Sequence, residues 1–249
     1  MKKNAHAFLY RIMALWALLS FSISFLIVLI PSLLCGLLPN PSGQTWFIRI
    51  ARIWMRIWMP LVGCPPRLIG EQNFRAGQSY IVVCNHNSLM DPPMSSAFIP
   101  GPNKTIAKAS FTKVPLFGWY YRLGGVMVDR KSEDSRRKSI ENMRRVLENG
   151  MHMCIYPEGT RNRTDQPFKS FYDGAFKLAI DSGHSILPAV IFHTRTILPP
   201  QRFFYFVPHP IVMEFLTPVS PVGETVESLK EKVFQLMWER YGNGPSRNL

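Results

Sequence analysis

A histidine and an aspartate stand five positions apart, His86 and Asp91, where an uncharged apolar run gives way to polar residues. An imidazole with one nitrogen held by a carboxylate is a general base poised near neutral pH. On one regular helix the two residues would lie about 140° apart, so they meet only if a turn separates them. A plainer reading stands beside the catalytic one. Asp91, followed by Pro92 and Pro93, fits a helix start with Asp91 as N-cap and proline in the first turn. His86 would then be a surface histidine next to a capping residue.

A second polar stretch, residues 156–161, follows another apolar run, and its composition suits an anion. Gly159 lets a ligand approach the backbone, Thr160 offers a hydroxyl, and Arg161 can make two parallel bonds to a phosphate. Arg163 and Lys169 add positive charge. Glu158 is out of place in an anion site unless it orients an arginine or contacts substrate hydroxyls. The alternative is an ordinary solvated turn. Arg130 closes a third apolar run after Gly124 and Gly125 and also suits a phosphate, or a solvated charge. No zinc spacing, Walker loop or dinucleotide fingerprint is present. The four cysteines (35, 64, 84, 154) show neither paired nor metal-type spacing and read as small core residues of a reducing compartment. Cys84 is the one weighed against a second role, a thioester-forming nucleophile.

These groups need strands to end beside one another. Residues 80–84, rich in β-branched side chains and uncharged, read as a buried strand, and reactive groups commonly sit where such strands end. From residue 65 onward, short strands (67–70, 104–108, 126–128, 151–156, 186–191) alternate with helical patterns. Residues 93–98 and 174–181 read as helices, 111–122 as helical in part, and 226–240 as a closing amphipathic helix. Ser132 is placed to cap a helix that runs to about residue 149. Pro188 inside a strand predicts a bulge or an edge position. Residues 202–207 and 211–215 read as extended.

The first 70 residues differ from the rest. They hold seven basic and no acidic residues, whereas the other 22 basic and 16 acidic residues supply only +6 of the net +13. Residues 12–38 carry no charge in 27 positions, too long and too poor in small residues at their end for a signal peptide. Pro31 predicts a bend. Residues 46–61 place Arg49, Arg52 and Arg56 on one helical face against three tryptophans, a pattern that lies in a membrane interface. Basic residues flank the apolar segment on both sides. Both ends therefore prefer the cytoplasm, and a bent insertion near Pro31 is expected rather than a span. A basic, apolar portion of this kind suits an anionic lipid surface and not nucleic acid.

Taken in order, His86-x4-Asp91, residues 125–130, Glu158-Gly159-Thr160-Arg161 and residues 186–189 resemble the four motifs of the glycerolipid acyltransferases, closest to the bacterial 1-acylglycerol-3-phosphate branch. The first and third motifs lie about 70 residues apart, and the resemblance covers roughly residues 65–215. Lys108 begins a stretch, through Trp119, that leads into the family's second motif; Met127 stands where the family often has Phe. The resemblance implies an α/β fold, a mixed sheet flanked by helices, behind an N-terminal membrane-associated helical segment. It divides the chain into an anchor (1–64), a catalytic domain (65–241) and a disordered tail (242–249). His86 would deprotonate the acceptor's hydroxyl, and Asp91 would hold its imidazole. Arg130 and Arg161 would bind the acceptor's phosphate, in a pocket shaped by Glu158, Gly159 and Thr160, with Lys108 nearby. The donor would be an acyl thioester of coenzyme A or acyl carrier protein. No cofactor, metal or acyl-enzyme is implied. The reaction expected is acylation of lysophosphatidate to phosphatidate on the cytoplasmic face of a membrane. A different acceptor (glycerol 3-phosphate, another lysophospholipid, an amino-acid lipid) and a non-catalytic lipid-binding protein are the other readings.

Overall fold

A computed structural model describes residues 2–129 and 131–245. After two N-terminal helices, α1 (Lys2–Leu34) and α2 (Ser42–Leu61), the chain runs β1 (Pro66–Ile69), β2 (Ile81–Cys84), α3 (Asp91–Phe98), β3 (Asn103–Lys108), α4 (Phe117–Gly124) and β4 (Gly125–Val128). It continues through α5 (Glu133–Glu148), β5 (His152–Ile155), α6 (Gly174–Ser182), β6 (Ile186–Phe192), α7 (Thr194–Ile197), β7 (Ile211–Phe215) and α8 (Val226–Gly242). The seven strands form one sheet in the order β1-β7-β6-β2-β5-β3-β4. Strands β2 to β6 are mutually parallel; β7 runs antiparallel to β6 and parallel to β1. The sheet is mixed, as the resemblance implied.

The central strand β2 is buried along its whole length because helices cover both sheet faces. Strand side chains alternate between faces, so Val82 and Cys84 join one cluster with Met94 and Phe98 of α3 and with Trp54 and Trp58 of α2. Ile81 and Val83 join the other, with Met143 of α5, Phe176 of α6 and Leu229 of α8. The side chain of Ser132 accepts the amide of Ser135 at 3.2 Å, the cap that the sequence predicts for α5.

Four local expectations can be set against the structure. First, α1 continues as helix through Pro31 to Leu34. The chain doubles back afterwards, over residues 35–41, where Gly43 lies against the carbonyls of Cys35 and Leu38; a Cβ there would stand 2.6 and 2.7 Å from those oxygens. Second, two of the three tryptophans of α2 do not face outward. Trp54 and Trp58 are buried, and their indole N–H groups donate to Ser24 Oγ (2.9 Å) and Ser20 Oγ (3.1 Å) of α1. Arg52 turns inward and donates to the carbonyls of Ala97 and Ile99 at the end of α3. Trp46, Arg49, Ile53 and Arg56 do remain exposed, on the opposite side of α2. Third, Pro188 is not at an edge, since β6 lies between β7 and β2. A bulge is present, in the segment that pairs with β6 after β7. The ladder joins Ala189 to Phe215 and Ile186 to Val219, so three residues face two. The amide of Ile186 donates toward Val219, so by alternation the proline nitrogen faces the bulge, where no ladder bond is lost. Fourth, residues 202–207 are no strand; they belong to a loop between α7 and β7. At the C-terminus α8 reaches Gly242, and residues 246–249 of the expected tail lie outside the described residues.

Candidate active site

Strands β2 and β5 are neighbours and parallel, so the segments after them emerge side by side at one edge of the sheet. Carboxyl ends of strands are where α/β sheets hold ligands. The first segment carries His86 and Asp91. Oδ2 of Asp91 lies 2.9 Å from His86 Nδ1 and also accepts the backbone amides of Asn87 and Ser88, each at 2.6 Å. A carboxylate only accepts here, so Nδ1 carries the proton and Nε2 presents a lone pair. Asp91 is fully buried, whereas the His86 side chain is 18% exposed. Asp91 is the first residue of α3, not its N-cap, which is Met90. Its carboxylate faces back into the turn that precedes the helix. That turn is what lets a pair five residues apart meet.

The second segment braces the first. Both oxygens of the buried Glu158 accept backbone amides, Oε1 from His86 at 2.7 Å and Oε2 from Lys169 at 2.9 Å. Burial raises the Glu158 carboxyl above its ordinary range, against the pull of those two amides. Asn162, also buried, donates its backbone amide to the carbonyl of His86 at 2.6 Å. Its side chain ties the loop together, donating to Gln166 O (2.8 Å) and accepting from Thr164 N (2.9 Å). Asn85 fixes the other flank of the histidine by exchanging two hydrogen bonds with the backbone of Ile191 on β6 (2.9 and 2.7 Å).

Tyr156 stacks on His86 with ring centroids 4.4 Å apart and planes 25° apart. Its hydroxyl is 2.7 Å from Ser95 Oγ of α3, and burial pushes its pKa well up, so it remains a neutral phenol. The imidazole is therefore held at Nδ1, on one ring face and through both of its backbone groups.

The cationic residues divide. Gly159 holds a left-handed φ of 73° and turns the chain so that Thr160 is exposed at the rim. Thr160 Oγ1 accepts from Lys169 Nζ at 2.8 Å. Arg161 is half-buried on the same loop. Lys108 is exposed at the end of β3, two strands from β2, or roughly 10 Å along the sheet. Its neighbour in register is Val128 on the edge strand β4. Arg130 lies outside the described residues. Cys84 and Cys154 are free thiols buried side by side with sulfurs 3.9 Å apart. Burial raises the Cys84 thiol well above its ordinary pKa, which leaves it a core residue and not a nucleophile.

A family model described as Acyltransferase matches residues 66–192, the stretch that contains all of this geometry. The chain belongs to the acyltransferase family. It is 29% identical over 235 residues to the 1-acyl-sn-glycerol-3-phosphate acyltransferase of Saccharomyces cerevisiae, covering 88% of this chain and 74% of that one. To the enzyme of the same name from Haemophilus influenzae it is 26% identical over 196 residues, 77% of this chain and 78% of the other. The crystal structure of the 1-acyl-sn-glycerophosphate acyltransferase from Thermotoga maritima has the same fold, with a TM-score of 0.78 at 24% identity over the whole of both chains.

This acyltransferase site contains residues that sequence reasoning did not single out: Asn85, Tyr156 as a stacking partner, and Asn162. Two flank the recognised motifs directly, and buried asparagines next to a reactive loop are a usable signal, since a buried amide must find partners. Nothing in the sequence signals the aromatic stack, which depends on β2 and β5 being neighbours.

Proposed function

We propose that this acyltransferase moves a fatty acyl group from an acyl thioester to the free hydroxyl of a 1-acylglycerol 3-phosphate, giving phosphatidate. The observation that carries the proposal is the His86 imidazole, bonded at Nδ1 to a buried carboxylate and stacked on Tyr156, at the same sheet edge as the Thr160–Arg161–Lys169 loop. His86 Nε2 takes the proton of the acceptor's hydroxyl as that oxygen attacks the thioester carbonyl. The C–O bond forms, the C–S bond breaks, and the imidazolium returns the proton to the departing thiolate. Asp91 stabilises the imidazolium while it lasts. Arg161 and Lys169 bind the acceptor's phosphate together with Thr160 and Arg130, and Lys108 extends the cationic rim toward β4. Glu158 acts through the backbone of His86 and does not touch substrate. These steps call for no metal and no acyl-enzyme. A positioned base contributes roughly 10²–10⁴-fold, so placement of the two substrates must supply the rest.

The acceptor is a membrane lipid, and α1 is long and apolar enough by length and composition to enter a membrane. Its residues facing away from the body, among them Ile23, Ile27 and Ile30, are more than half exposed. We place the protein on the cytoplasmic face of a membrane, with α1 embedded and its apolar side against lipid. Radiolabelled acyl transfer by the purified protein tests the assignment, using acyl-coenzyme A and acyl-acyl carrier protein as alternative donors and a panel of acceptors. Transfer to 1-acylglycerol 3-phosphate that disappears in His86→Ala is the expected result. Failure with every lysophospholipid and with glycerol 3-phosphate overturns it.

A further inference from the structure

The loop between α7 and β7 ends in two adjacent phenylalanines that the body of the protein does not cover. Phe203 is 94% exposed and Phe204 is 41% exposed. Phe204 also has a φ of 49°, a left-handed conformation that a residue with a side chain rarely adopts. Backbone held in such a region signals a shape that the surroundings enforce. The surroundings here are explicit. Val207 N donates to Ile197 O at 2.9 Å, closing the loop at its base, and Arg202 N donates to Pro199 O at 3.1 Å, making a turn just before the tip. Tyr205 and Phe206, immediately after the tip, are buried. The loop is thus a tied projection with an aromatic end.

Its base rests on α1. Phe206 N donates to Tyr10 O at 3.1 Å, and the rings of Tyr10 and Tyr205 meet with centroids 5.2 Å apart. On either side of Tyr10 the helix shows Phe8 and Ile12 to solvent. The aromatic tip therefore stands beside the exposed apolar end of α1. Positive charge borders it: the Arg202 guanidinium lies 4.7 Å over the Tyr205 ring, and Arg11 is exposed one residue beyond Tyr10. Apolar tips edged by arginine fit an anionic lipid surface, where the rings enter the acyl region and the cations stay among the headgroups.

We propose that residues 202–205 form a second membrane contact, with Phe203 and Phe204 inserted among the acyl chains of an anionic leaflet beside α1. This rests on the membrane placement proposed above and adds a point of attachment more than 160 residues away in the chain. A helix lying in a leaflet can roll about its axis. A second contact at one end would fix that roll, and with it the height of the His86 edge above the lipid.

The four native cysteines are all buried, so Phe203→Cys introduces one accessible thiol for an environment-sensitive fluorophore. The full chain, labelled in this way, is reconstituted into phosphatidylglycerol vesicles whose acyl chains carry bromine. Ile27→Cys on α1 (71% exposed) and Val222→Cys (84% exposed) serve as references. Labels at 27 and 203 are expected to shift to the blue and lose at least half of their emission to bromine, while the label at 222 does neither. Quenching at 27 but not at 203 overturns the second contact and leaves the membrane placement standing. Quenching at neither overturns both. A pyrene label at 203 that gives excimer emission without bromine quenching assigns the tip to a second copy of the chain and overturns the lipid assignment. No acyl transfer is measured, so none of these outcomes depends on the reaction.

Discussion

The backbone amide of His86 donates to Oε1 of Glu158 at 2.7 Å, although the two residues lie 72 positions apart in the chain. The carboxylate is fully buried, and its other oxygen is taken by the amide of Lys169. Glu158 thus joins the loop that holds the base to the loop that holds the cations. Replacement by Gln keeps one acceptor and turns an amide N–H₂ toward a backbone N–H, leaving a buried donor unpaired at a cost of about 1–3 kcal/mol. Glu158→Gln is expected to lower the melting temperature and to reduce kcat by roughly 10²-fold, since small displacements of a base are costly. KM for the acceptor should stay within a few-fold. A raised KM with unchanged kcat and unchanged melting would make Glu158 a substrate contact and sink the bracing role.

At Asp91 all three donors converge on Oδ2, while Oδ1 is buried without a partner among the described residues. An asparagine can place its carbonyl oxygen at the Oδ2 position and keep every one of those bonds. Asp91→Asn should therefore melt close to the parent while losing turnover by roughly 10²-fold, because a neutral amide stabilises the imidazolium less than a carboxylate does. Asp91→Ala strands two backbone amides as well and should lose stability together with turnover. Melting curves and kcat measured side by side separate the charge from the scaffold. If Asp91→Asn turned over at the parental rate, the carboxylate would be structural only.

The sequence sets residues 1–64 apart as an anchor, and removing residues 1–62 would then harm membrane recovery before it harmed chemistry. The structure changes that expectation. Trp54, Met55, Trp58 and Met59 of α2 are buried in the same cluster as Met94 and Phe98, directly behind the His86–Asp91 turn. Deleting residues 1–62 strips one face of the sheet and is expected to give aggregated protein. Trp58→Phe is the milder probe. It keeps an aromatic ring in the core and removes the N–H donated to Ser20, at about 1 kcal/mol. Recovery of a folded, monomeric fragment from residue 63 onward would contradict this.

Much of the site was legible because its signals are local. The run 80–84 ends where β2 ends, and the His86–Asp91 spacing announces a turn. Ser132 caps its helix through bonds three residues long, and such short-range chemistry survives any fold. What escaped depends on pairing between distant segments. The tryptophans and arginines of α2 suit an interface when counted on a helical wheel, but a wheel cannot say that Ser20 and Ser24 await the indoles or that α3 ends against Arg52. Pro188 leaves a bulge and an edge both open until the strand order puts β6 between β7 and β2. Glu158 looked out of place among cations until the amide of His86, 72 residues upstream, supplied its partner.

His152 gives a prediction in pH. It is buried on β5, accepts the amide of Tyr80 at Nδ1 (3.1 Å), and stacks on the Tyr80 ring. Burial lowers its pKa from 6.5 to about 4, against a smaller opposing effect of the hydrogen bond to Pro100. The folded protein thus resists protonation that the unfolded chain accepts. The stability involved is whole above pH 6.5 and is lost progressively as the pH falls toward about 4, reaching about 3 kcal/mol there. His152→Asn puts an amide oxygen in reach of the Tyr80 N–H and cannot titrate. Its melting temperature at pH 7 does not enter the comparison, which is one of slopes. Between pH 6.5 and 4 it should fall less steeply than that of the parent, and matching slopes would show that His152 is not the group being titrated.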